Sequence, residues 1–153
     1  MKFSTRELYG LRAMAELARC FGRGPVSLAE VTRAEGLSLS YMEKIISPLR
    51  RAGLVESRRG AYGGYTLALP PAHITVGDVI RALEGEIVLV PCQSDRQDTP
   101  CQHEGACITV NVWLEVHRSL VETLDSITLE DLLQRAVEAG PCSLLATPET
   151  PAI

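Results

Sequence analysis

Cys92, Cys101 and Cys107 stand in one short window of the chain, three of its five cysteines. Pro91 and Pro100 each precede a cysteine, and a polar run fills residues 93–99. Such a segment reads as a loop, and thiolates on a loop can converge on one point, which is what a metal ion or cluster needs. Three thiolates leave one coordination position open. His103 lies within the same window and has suitable chemistry; Glu104, Asn111 and His117 are weaker candidates. Structural zinc sites usually carry close cysteine pairs, and the chain has no C-x-x-C. The spacing therefore favours an iron–sulfur cluster, [2Fe–2S] ahead of [4Fe–4S], with zinc or plain thiol sensing as alternatives. Cys20 reads as a small core residue of the first helix, and Cys142 falls in the tail.

A second constellation precedes the loop. Ser38, Ser40, Tyr41, Glu43 and Lys44 open a short helix that follows another short helix across Gly36. Two short helices joined at a glycine form a helix-turn-helix pattern, whose second helix enters the major groove with its N-terminal residues at base edges. Serine can donate or accept, glutamate accepts from the cytosine amino group, and hydroxyls and lysine also suit phosphates. Glu43 stands three residues after Ser40 and could instead complete a capping box there. Arg50 and Arg51, at the far end, favour the negative end of the helix dipole. Beyond them, residues 54–59 and 65–69 read as strands around the glycine-rich tip Gly60-Ala61-Tyr62-Gly63-Gly64. Such a hairpin is a wing, and Arg58, Arg59 and Gly60 at its tip are expected to reach phosphates or a narrow minor groove.

The elements that position these residues follow from local signals. Ser4 with Glu7, Ser27 with Glu30, Thr75 with Asp78 and Thr128 with Asp131 each mark a helix start. The first helix, to about Cys20, carries an apolar face of Leu8, Leu11, Ala15 and Ala18, flanked by Met14 and Leu17. A longer helix is expected from about Ile108 to Leu124, with Val112, Trp113, Val116, Leu120, Val121 and Leu124 at helical spacing. Few partners remain for it within its own chain, so a self-paired, dimer-forming helix is expected. The fold class is mainly α with a small β wing. The expected organisation is a winged helix-turn-helix at 1–70, a thiolate loop with dimerisation helices at 71–137, and a disordered tail at 138–153.

Charge divides along the same line. Residues 1–69 hold eleven Lys/Arg against six Asp/Glu, and residues 70–153 hold four against thirteen. A basic DNA-facing half and an acidic regulatory half would produce this asymmetry. No apolar run approaches the ~20 residues that cross a bilayer, and the N-terminus has no signal-peptide core. A cytoplasmic location is expected, where an odd cysteine count argues against a disulfide framework. No cysteine has an evident base beside it, and no phosphate-binding or dinucleotide motif appears, so the chain does not read as an enzyme.

Ser38-Leu39-Ser40-Tyr41, Leu49-Arg50, Gly53-Leu54-Val55, Arg59-Gly60 and Gly63-Gly64-Tyr65 together resemble the winged-helix repressor family of IscR, NsrR and CymR. Residues 74–80 and 127–132 extend the resemblance over about 1–137. It implies a homodimer that binds a palindromic double-stranded DNA operator, with Ser40, Glu43 and Arg59 at DNA-contacting positions. The stretch from Ser40 to Glu84 is similar to CymR, the cysteine-metabolism regulator, which lacks the cysteine trio. The trio implies instead a cluster-binding member that regulates cluster-assembly genes. Departures from IscR are a wider gap between Cys92 and Cys101 and Val110 where IscR has its histidine ligand. NsrR-type members recruit a carboxylate from the first helix of the partner subunit, which makes Glu7, beside the matching Leu8, the runner-up to His103.

Overall fold

Capping decides where the helices begin. The computed structural model describes residues 3–90 and 106–138. Helix α1 (Thr5–Arg19) starts where the Ser4 hydroxyl accepts the Glu7 N–H at 3.1 Å and the Glu7 carboxylate accepts the Ser4 N–H. Ser27 and Glu30 open α2 (Leu28–Glu35) in the same reciprocal way, each satisfying a backbone donor that the helix itself leaves free. Gly36 closes α2 in the left-handed region, at φ 65°. Helix α3 (Leu39–Arg51) is capped by Ser38, whose hydroxyl accepts the Tyr41 N–H at 3.3 Å. The cap is thus Ser38 and not Ser40. Ser40 and Glu43 lie inside the helix on its exposed side, so the Glu43 carboxylate has no capping role.

Helix α3 buries Met42, Ile45, Ile46 and Leu49, a repeat of three and four residues that makes one face of a helix. They meet Ala13, Met14, Leu17 and Ala18 of α1 in a single core, with Leu28 and Val31 of α2. Helix α4 (Val76–Glu84) adds Val79 and Leu83, and α6 (Leu129–Glu138) adds Leu129. Each leucine, isoleucine, valine or methionine among them contributes roughly 1.5–3 kcal/mol when fully buried. The inner stripe of α1 differs from the expected one. Leu8 is 55% exposed, and Gly10 faces inward where a Cβ would meet Leu83.

The wing consists of β1 (Val55–Arg58) and β2 (Gly64–Leu67), antiparallel with Val55 opposite Leu67 and Arg58 opposite Gly64. A third segment grips it: Val26 and Tyr65 exchange two backbone hydrogen bonds of 2.8 Å each. Val26 directly precedes the Ser27 cap, so the wing base is tied to the start of α2. Gly64 makes this possible, because a Cβ there would run into the Val26 carbonyl. A single turn of 3₁₀ helix, Pro71–His73, leads to α4.

Helix α5 (Val110–Ser126) starts two residues later than Ile108 and buries none of its side chains. It is held at its C-terminal end. Arg81 of α4 bridges Asp78 at 3.0 Å and Asp125 of α5 at 2.7 Å, and the Asp125 carboxylate occupies the space a Cβ on Gly77 would take. Farther up, His117 hydrogen bonds to the Ile87 carbonyl at 2.7 Å. Among the described residues no helix is long and apolar enough to cross a membrane.

Burial pushes the Asp78 carboxyl up, but the Thr75 backbone and hydroxyl, with Arg81, outweigh it and hold it below the ordinary carboxylate value. A carboxylate depressed on folding adds stability above its unfolded pKa of about 3.9, and that stability is lost as pH falls through the lower folded value. Asp78→Asn should therefore be less stable than the wild type at pH 7. The gap should close as the pH falls below about 4, as followed by urea unfolding across a pH series.

Candidate nucleic-acid interface and thiolate site

With its inner face buried, α3 turns Ser40, Glu43, Lys44, Ser47 and Arg51 to solvent, again at helical spacing. Ser38 is exposed at the cap. Among the described residues neither Glu43 nor Lys44 has an ion-pair partner. Their hydrogen-bonding groups are open to an incoming ligand.

Tyr41 is different, being half-buried. Its ring meets Tyr9 of α1 edge to face, with centroids 6.3 Å apart and planes at 89°. Arg12 lies over the Tyr9 ring, 5.5 Å from its centroid, and pairs with Glu35 at 3.3 Å. The Glu35 side chain is only 7% exposed. Tyr41 is thus fixed by its ring. Tyr9, Arg12 and Glu35, which brace it from α1 and the end of α2, have no signature in the sequence because Arg12 and Glu35 are 23 positions apart.

On the wing, Arg58 ends β1 and Arg59 begins the turn, both exposed. Gly60 sits at φ 124°, a conformation that disfavours any side chain. Its carbonyl accepts the Gly63 N–H at 3.0 Å and closes the tip. Tyr62 projects there at 94% exposure, a large aromatic that the reading of the arginines overlooked.

At the thiolate site, Cys107 stands just before α5 with Sγ 3.4 Å from the Thr109 hydroxyl. Hydrogen bonds from that hydroxyl, then from the Thr109 and Val110 backbone, outweigh desolvation and hold its thiol below the ordinary cysteine value. Such a thiol is readied as a thiolate ligand or nucleophile. Cys92, Cys101 and His103 lie outside the described residues, as does Glu104. Among the described residues no three potential ligands converge. Glu7 closes its capping box with Ser4, and His117 spends one ring nitrogen on Ile87. Asn111 is exposed. Cys20 is the C-cap of α1 and half-buried, outside the core where its apolar neighbours had placed it.

A helix-turn-helix with an exposed reading face, followed at once by an arginine-tipped wing, defines a DNA-binding transcription regulator of the winged-helix class. Residues 3–135 match the family model Rrf2, described as an iron-dependent transcriptional regulator, and the chain belongs to that family. The transcriptional regulator CymR of Bacillus subtilis (strain 168) is 47% identical over 132 residues, spanning 86% of this chain and 89% of that protein. The solved structure of B. subtilis CymR, the global cysteine regulator, superposes with a TM-score of 0.72 at 44% identity, covering 88% of this chain and 98% of that one. T. potens IscR does so with a TM-score of 0.74 at 46% identity, covering 91% and 90%.

The Thr109 hydroxyl is the largest influence on Cys107. Thr109→Val should move the pH midpoint of Cys107 alkylation upward, read site by site by peptide mass spectrometry. An unchanged midpoint would remove Thr109 from the site.

Proposed function

We propose that this regulator is a cytoplasmic, homodimeric repressor whose operator binding is controlled by an iron–sulfur cluster. Cys92, Cys101 and Cys107 would hold the cluster, with His103 as fourth ligand and Glu7 as runner-up. A [2Fe–2S] cluster is the leading form and [4Fe–4S] the alternative; when bound it supplies a centre that oxidants degrade. The carrying observation is the position of Cys107. Its thiol is held toward thiolate at the foot of a helix with no buried residue. This supports Cys107 as one ligand, and the helix it adjoins exposes Val112, Trp113, Leu114 and Val116 for a second copy. An apolar α5 pairing across a two-fold axis would place two α3 helices on the half-sites of a palindrome. Cluster-assembly genes are the proposed targets, supported by the likeness to T. potens IscR.

The organisation proposed with it is a winged helix-turn-helix at 1–70, a ligand loop and dimerisation helices at 71–137, and a tail at 138–153. On the DNA, Ser38, Ser40, Tyr41, Glu43 and Lys44 serve the major groove, and Arg58, Arg59 and Gly60 serve the backbone and minor groove.

The 47% identity to CymR favours a second reading, a cluster-free thiol-redox or cysteine-metabolism repressor. There a peroxide-class oxidant would convert Cys101 or Cys107 to a sulfenic acid, and a second thiol would displace water from it to form a reversible disulfide.

Purification without oxygen separates the two. The cluster reading expects visible absorption with iron and acid-labile sulfide, lost in Cys92→Ala, Cys101→Ala and Cys107→Ala variants that remain dimeric. Colourless, sulfide-free protein after reconstitution would leave the thiol reading. Independently, Arg59→Ala should weaken DNA binding by ~1–3 kcal/mol in a fluorescence-anisotropy titration if its side chain reads the groove.

A further inference from the structure

Two arginines of the chain's first helix have opposite fates. Arg12 is committed to Glu35 and to the face of Tyr9. Arg6, six residues earlier, has no carboxylate within ion-pair distance among the described residues. It lines an open groove together with Ser40, Tyr41, Lys44, Ser47 and Arg51 of α3; Glu43 is the one acidic residue on that groove. Three cations therefore face one shallow channel against a single carboxylate. Like charges so gathered repel unless an anion lies between them.

Ser40 and Glu43 of α3 belong to the lining of the same groove. With these two on base edges, the cations that share the groove face the phosphates flanking the same base pairs. Phosphate contacts of this sort set orientation and supply affinity without reading sequence. We infer that Arg6 of α1 and Arg51 of α3 together hold the DNA backbone at this one groove, so that α1 takes a direct part in DNA binding. Arg51 is then more than a favourable charge at a helix end, and Arg6 adds a contact outside the helix-turn-helix and wing. This deepens the assignment of α3 as the reading helix and rests on it.

Each phosphate neutralised by a side chain adds about 0.9 to the slope of log affinity against log salt. The experiment uses the full-length protein and two duplexes: one selected by the wild type from a randomised pool, and one of scrambled sequence. Affinities are taken by anisotropy across a salt series. Arg6→Ala and Arg51→Ala should each weaken binding to both duplexes by a similar factor and reduce the slope by about 0.9, while Arg6→Lys restores it. Arg12→Ala should leave the slope as it is, because Arg12 is spent inside the protein. Circular dichroism melts check folding, and alanine suits both helical sites.

Unchanged affinity and slope in Arg6→Ala would overturn the shared backbone contact while leaving DNA binding intact. Weaker binding with an unchanged slope would also overturn it, making Arg6 a packing residue. Loss confined to the selected duplex would make it a base reader instead. If the wild type binds neither duplex, it is the reading helix itself that fails, and the two failures are told apart.

Discussion

Desolvation of one stripe on α1 holds this molecule together. Ala13, Met14, Leu17 and Ala18 meet the inner face of α3, and the same core takes in Val79 and Leu83 of α4 and Leu129 of α6. The reading helix can spare its outer face for a ligand only because its inner face is so completely used. Met42, Ile45 and Leu49 have no exposed surface at all. Rigid support of this kind lets exposed polar side chains meet base edges in a repeatable geometry.

Helix α4 stands between the body of the helix-turn-helix and α5. α4 packs on α1 and α3, and α5 is pinned to α4 through Arg81, Asp125 and the bare backbone of Gly77. Exposed ion pairs of this type contribute little energy individually. Their value here is positional, since the α5 side chains on the body, Leu120, Val121 and Leu124, are only half-buried.

Much of this architecture was legible along the chain. Four reciprocal caps involve residues three positions apart, so the hydrogen bonds that start α1, α2, α4 and α6 are written locally. The hairpin followed from its glycines. Ser38 and Ser40 mark where local information failed. Both serines could cap, and only the direction of the buried face shows that Ser38 does and that Glu43 is left for other work. Leu8 misled in the opposite sense, because a leucine near an apolar stripe says nothing about which neighbours will cover it.

By itself the sequence determined the helix starts, the winged helix-turn-helix pattern, the charge division and the cysteine trio, all of which depend on spacing within a few residues. Only the tertiary structure decided which polar groups are spent and which stay open. Arg12 is consumed by Glu35 from a different helix, while Arg6 and Arg51 are brought to one groove from opposite ends of α1 and α3. Val26 likewise reaches across to grip the wing at Tyr65. These pairings join residues far apart in the chain, and only the burial of a common core brings them within contact distance.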